Sequence, residues 1–147
     1  MIISDILSED MVLTEVEAVS KRQLLEKISS VLAQKKRLDK NSVFEAIWER
    51  ENLGSTGYGK GVAFPHARMA GIDKVVSVFA RLQHGLDYDT PDNTDVDLVA
   101  MMISPENSGD DHLKTLAAFS RVLKNADVCR ELRSAKSAHE IYTALQR

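Results

Sequence analysis

An α/β fold of three layers, a mixed sheet of four to five strands with helices on both faces, is what this sequence predicts. Residues 74–82 and 96–103, in the middle of the chain, are apolar on both alternating rows or nearly so, as strands buried on two faces are. Helical patterns flank them, two before and three after. The strand read at Val12–Val16 is separated from the others by those first helices, so it can pair in parallel, whereas the middle strands are joined by short loops.

The first helix is read from Ser20 to Arg37, with Leu24, Leu25, Ile28, Val31 and Leu32 at helical spacing and Ser20 with Gln23 as a capping box. A second starts near Ser42, where Ser42-x-x-Glu45 repeats the signature, and runs to about Asn52 with Val43, Phe44, Ile47 and Trp48 as its apolar face. Four glycines in eight residues, Gly54 to Gly61, then predict a loop. Val62-Ala-Phe-Pro-His66 ends at a proline and suits a strand edge or strand end. Strand 74–82 follows, then a turn at Gln83-His-Gly85, a polar stretch from Tyr88 to Asp95, and the buried strand Val96–Ile103. A third helix spans Gly109–Asn125 with Leu113, Leu116, Ala117, Val122 and Leu123 inward and Asp110 or Asp111 as cap. Asp127–Ser134 and Ser137 to about Gln146 complete the helices, the last opened by Ser137-x-x-Glu140.

With 147 residues the chain is long enough to bury roughly 68–70% of its unfolded surface, and one domain is expected. Its 19 Lys+Arg against 22 Asp+Glu leave a net charge of −3 and no basic block, so nothing points to nucleic acid. The longest apolar run, Leu98–Ile103, is far short of the roughly 20 residues a membrane span needs. The first ten residues carry acids and serines where a signal peptide has a basic start and an apolar stretch, so a cytoplasmic location is expected. Cys129, the single cysteine, excludes an internal disulfide and reads as a small half-buried hydrophobe.

Of four histidines, His66 stands where a strand meets a loop rich in backbone donors, on a segment stiffened by Pro65. A site residue and a surface-turn histidine are both open readings there. His112 lies in the first turn of a helix, where the amides favour an anion. A metal site built from His66, His112, Asp110 and Asp111 is disfavoured, because helix neighbours one apart do not face the same way. His84 and His139 read as solvated. Arg50 closes a helix just before Ser55, Thr56 and the glycines, and these form a candidate cradle for a phosphoryl group; the plainer reading of Arg50 is a cation at the negative end of the helix dipole. Gly-x-Ser-x-Gly, Walker and His-Glu-x-x-His motifs do not occur, and the glycine loop follows a helix, against the dinucleotide pattern.

Phe44-Glu-Ala-Ile-Trp-Glu-Arg-Glu51, Gly54-Ser-Thr-Gly, Gly59-Lys-Gly-Val-Ala-Phe-Pro-His66 and Asp111-His-Leu-Lys-Thr-Leu116 together resemble the IIA domain of the bacterial phosphotransferase system, fructose/mannitol family, and most of all its nitrogen-regulatory branch. The likeness spans essentially the whole chain. It implies that His66 is the phosphoryl acceptor from an HPr/NPr-like phosphohistidine carrier, with His112 the second active-site histidine and Arg50 the active-site arginine, and with no cofactor or metal. Phe64 stands where an aliphatic residue is commoner, and Ala67-Arg68 where Gly-Lys is frequent; Arg68 keeps a cation beside the site. Regulatory relatives switch targets such as potassium transport proteins or sensor kinases by phosphorylation state. The alternatives are a sugar-specific IIA component passing phosphate to a IIB domain, and a non-catalytic anion-binding module of the same fold.

Overall fold

A computed structural model describes residues 1–147. Two short 3-10 turns, Ile3–Asp5 and Glu9–Met11, lead into β1 (Val12–Val16). Helices α1 (Lys21–Lys36) and α2 (Lys40–Leu53) follow, then β2 (Gly57–Gly59), β3 (Val62–Ala63), β4 (His66–Met69), β5 (Val76–Leu86) and β6 (Val96–Pro105). Helices α3 (Asp111–Leu123), α4 (Ala126–Ser134) and α5 (Ala138–Leu145) end the chain. The sheet is mixed and has six strands in the order β1-β5-β6-β3-β2, with β4 also on β6. The added strand comes from the glycine segment expected to be all loop: Gly57–Gly59 pairs antiparallel with β3.

β5 and β6 form the antiparallel centre, and β1 joins β5 in parallel. β3 and β4 both run parallel to β6, end to end, with Val62 opposite Leu98 and His66 opposite Met102. Phe64-Pro65 interrupts them, as a residue without an N–H must interrupt a ladder. Side chains alternate across a strand, so the two faces can be told apart. Val78 and Met101 face α1, whose Ser29 hydroxyl lies 3.9 Å from the Met101 sulfur. Arg81 faces the other way and donates to the carbonyls of Leu132 (2.9 Å) and Ala135 at the end of α4. One core of 38 buried residues joins both layers to the sheet.

Ser20 caps α1, accepting from the Gln23 amide, and Ser137 caps α5, accepting from the Glu140 amide. Elsewhere the ends differ from expectation. α2 starts two residues early because Asp39 takes the cap, accepting from the Ser42 amide and hydroxyl. α4 starts at Ala126 because Asn125 accepts from the amides of Asp127 and Val128. Asp110 precedes α3 with helical backbone angles and its side chain caps nothing; it pairs with Lys114 at 3.7 Å. β5 runs on through the expected turn at Gln83-His-Gly85, with Leu86 opposite Val96. Gly85 suits this extension, since a Cβ there would sit 2.9 Å from that of Asp95.

The inward face of α3 is also rotated from the expected one. His112, Thr115, Ala118 and Phe119 are buried with Val122 and Leu123, whereas Leu113 is 64% exposed, Ala117 is exposed and Leu116 is only partly covered. Cys129 is more buried than expected, and its thiol donates to the Leu123 carbonyl, 3.2 Å away. No helix is long and apolar enough to cross a membrane.

Candidate functional site

His66 opens β4 one residue after Pro65, whose carbonyl accepts the Met102 amide at 3.1 Å. Its backbone is thus fixed on both sides, by the pyrrolidine ring before it and the β6 ladder beside it. The half-buried ring places Nδ1 2.7 Å from the Phe64 carbonyl oxygen. A carbonyl only accepts, so Nδ1 carries the proton and Nε2 keeps its lone pair. Burial lowers the pKa most; the Phe64 carbonyl opposes this, the Arg50 charge adds to it, and Glu51 opposes it, leaving the group below its ordinary value.

β4 is paired only with β6, and side chains from α2 and α3 line a groove along it. From α3 comes His112, its ring centroid 5.3 Å from that of His66 and the planes inclined at 59°. His112 Nδ1 turns inward to the Ser104 hydroxyl, 2.7 Å away. Burial, with the charges of Arg68 and His66 adding to it, holds the His112 pKa down to about 4. From α2 comes Arg50, whose Nη1 donates to the Gly54 carbonyl at 2.8 Å and ties down the helix end. Arg68 follows on β4 and donates to the Ser108 hydroxyl. Arg50, Arg68, His66 and His112 line one groove of about 450 Å³, with Glu49 and Leu53 at its rim. A second depression, about 280 Å³, has His66, Ser55, Tyr58, Phe64, Leu116 and Lys124 among its walls.

Several amides of the glycine segment that the expected cradle would use are already engaged. The Gly57 amide goes to the Ser55 hydroxyl, that of Lys60 to Asp92 (2.8 Å), and that of Gly61 to Thr94 (3.2 Å). Gly57, Gly59 and Gly61 answer to packing, whereas Gly54 faces open space. At Gly61, φ is +81° and a Cβ would stand 2.4 Å from the Arg133 guanidinium. Ser55 lies beside the second depression but donates to the Asp89 carbonyl. Thr56 is engaged inside the protein: Glu51 accepts its amide at 2.7 Å and its hydroxyl at 2.6 Å.

That carboxylate is the residue sequence reasoning missed. Glu51 is 5% exposed and also accepts from Lys21 (2.9 Å) and Tyr88 (3.0 Å). Burial alone would raise its pKa, but the Thr56 hydroxyl and amide and the Lys21 ammonium outweigh that and lower it. The Thr56 carbonyl in turn accepts the Phe64 amide at 3.0 Å, so Glu51 supports the turn that presents His66. A signal was available: Val43, Ile47 and Glu51 fall four apart on the buried stripe of α2.

His84 and His139 are exposed, the latter bonded to Glu9 at 2.7 Å. Asp110 and Asp111 are exposed as well, and no three His, Cys, Asp or Glu side chains come together as a metal site would require.

Residues 5–147 match the model of the phosphoenolpyruvate-dependent sugar phosphotransferase system EIIA 2 family. The chain belongs to this family. Among EIIA relatives, it is 36% identical over 145 residues to a nitrogen regulatory protein of Bradyrhizobium diazoefficiens, covering 99% of this chain and 95% of that one. It is also 36% identical to the nitrogen regulatory protein of Escherichia coli, covering 95% and 86% of the two chains. The crystal structure of the nitrogen regulatory protein IIA-Ntr from Neisseria meningitidis superposes with a TM-score of 0.91 at 33% identity, over 97% of this chain and 98% of that one. The mannitol IIA of Escherichia coli shares the EIIA fold, with a TM-score of 0.81 at 20% identity over 95% and 98% of the two chains.

Proposed function

We propose that this EIIA protein accepts a phosphoryl group on Nε2 of His66 from the phosphohistidine of an HPr/NPr-like carrier, and acts as a regulatory IIA whose partners respond to that group. One observation carries the reading: His66 Nδ1 is committed to the Phe64 carbonyl, which leaves the Nε2 lone pair in a groove lined by Arg50, Arg68 and His112.

In the transfer the Nε2 lone pair forms a P–N bond while the donor's P–N bond breaks, and that electron pair returns to the donor imidazole. The His66 ring keeps its Nδ1 proton and becomes cationic, a charge the Phe64 carbonyl stabilises. Phosphoryl transfer is mostly positioning plus stabilisation of charge on the three peripheral oxygens. Arg50 and Arg68 supply fixed positive charge and His112 a neutral ring donor. A lowered His66 pKa keeps the nucleophile neutral near pH 7. The regulatory assignment is supported by the 36% identity to nitrogen regulatory proteins. Partners can read the event because the phosphate adds a charge near −2 at an exposed groove.

The test is intact-mass spectrometry after incubation with enzyme I, a carrier and phosphoenolpyruvate. One added phosphate in the wild type and none in His66→Ala is the expected result. No added mass with carriers of both the sugar and nitrogen branches would turn the groove into an anion-binding pocket.

A further inference from the structure

Ser104 has no place in the chemistry so far, yet it is fully buried on β6 and its hydroxyl touches one polar side chain, His112, at Nδ1. Every buried side-chain polar atom in the molecule has a partner. A serine hydroxyl has one proton to place, and Nδ1 is the one acceptor this hydroxyl reaches. We propose that Ser104 is a positioning residue that donates to His112 Nδ1 and so holds the ring as its Nε2–H tautomer, with a hydrogen-bond donor facing the groove.

The opposite tautomer is doubly disfavoured. With the proton on Nδ1 the ring would donate to Ser104, leaving the hydroxyl proton buried without an acceptor. Nε2 would then point a lone pair at an incoming phosphoryl group, whose oxygens only accept. A doubly protonated ring would orphan the hydroxyl proton in the same way, and the low basicity of His112 agrees with a neutral ring. His66 and His112 thus take opposite arrangements from their Nδ1 partners. A carbonyl makes Nδ1 of His66 a donor and frees Nε2 to attack; a hydroxyl makes Nδ1 of His112 an acceptor and leaves Nε2–H to bind.

The role in transfer rests on the phosphoryl-acceptor reading, but the tautomer can be measured without it. The experiment is two-bond proton–nitrogen correlation NMR on protein labelled with nitrogen-15 histidine, for wild type, Ser104→Ala and Ser104→Thr. It is paired with single-turnover phosphorylation by a phosphorylated carrier. The wild type should show His112 as Nε2–H, favoured by about tenfold or more. Ser104→Ala should raise the Nδ1–H share at least about fivefold and slow transfer by roughly two- to tenfold, and Ser104→Thr, which keeps the hydroxyl, should restore both. An Nδ1–H ring in the wild type, the same spectrum in Ser104→Ala, or an altered tautomer with unchanged transfer rate would overturn the proposal. If no variant is phosphorylated while the tautomer follows the hydroxyl, the tautomer assignment stands and the phosphoryl-transfer reading falls.

Discussion

Removing the Glu51 carboxylate should unfold the site from below. In Glu51→Ala the Thr56 amide and the Tyr88 hydroxyl, both in buried residues, lose their acceptor, and the Lys21 ammonium is left with 20% side-chain exposure and no counter-charge. Thr56 and Tyr88 can still bond each other at 2.9 Å, so not every group is orphaned. An unsatisfied buried group costs about 1–3 kcal/mol, and breaking one side of a buried ion pair about 3–5 kcal/mol, so a total of about 3–5 kcal/mol is expected. With a urea slope of about 2 kcal/mol/M, the unfolding midpoint should fall by roughly 2 M. Glu51→Gln keeps the shape and one oxygen acceptor and should lose about half as much. Because the folded pKa of Glu51 lies below its ordinary value, the wild-type contribution is present above the unfolded pKa of about 4.5 and is lost as pH falls through the folded value. Glu51→Gln should therefore also flatten the acid limb of stability against pH. A midpoint shift below about 0.5 M for Glu51→Ala would refute the reasoning.

His112, held down to a pKa of about 4, binds fewer protons folded than unfolded. Stability should therefore fall as pH drops from about 6.5 toward 4, and His112→Gln should reduce that slope in urea titrations at several pH values, leaving the part that His66 contributes. Arg50→Ala should slow phosphorylation of His66 by about 10- to 100-fold in single-turnover assays, with the urea midpoint nearly unchanged. Gly61→Ala should cost about 1–3 kcal/mol, read as a lowered Tm, since its Cβ would strike the Arg133 guanidinium at a backbone angle that L side chains rarely adopt. Leu53, 86% exposed at the groove rim, offers an apolar contact to a carrier; Leu53→Asp should raise the carrier concentration for half-maximal rate about tenfold and leave Tm unchanged.

Much of this architecture was legible in the sequence because its signals are local. Ser20 and Ser137 announced their helices by caps, and the run Val96–Ile103 announced a strand buried on both faces. The structure brings His66, His112 and Arg50 to one groove, although 62 positions separate Arg50 from His112. What escaped were features set by pairing and partner choice. The extension of β5 through Gln83–Gly85 is exposed, so no burial pattern marks it, and its pairing with β6 shifts register between Arg81 and Leu86 before resuming at Val96. On α3, leucines at 113 and 116 imitate a core stripe, while the helix instead turns His112 and Thr115 inward. Ser104 reads as an ordinary strand residue until the ring beside it is seen. Four glycines suggested an anion cradle, yet their neighbouring amides are spent on Asp92, Thr94 and Ser55.

β6 carries more than the centre of the sheet. His66 is registered against it through Met102, and His112 is anchored to it through Ser104, two residues further along. The two rings are therefore both referred to a single strand, His66 through the register of β4 and His112 through one side-chain hydrogen bond. Arg50 rides on α2, in the layer across the sheet from α3, and α2 itself packs on β4. A dianion settling between the rings would be held by side chains anchored to β6 and by Arg50 from α2, so that both layers of the sandwich would feel its charge.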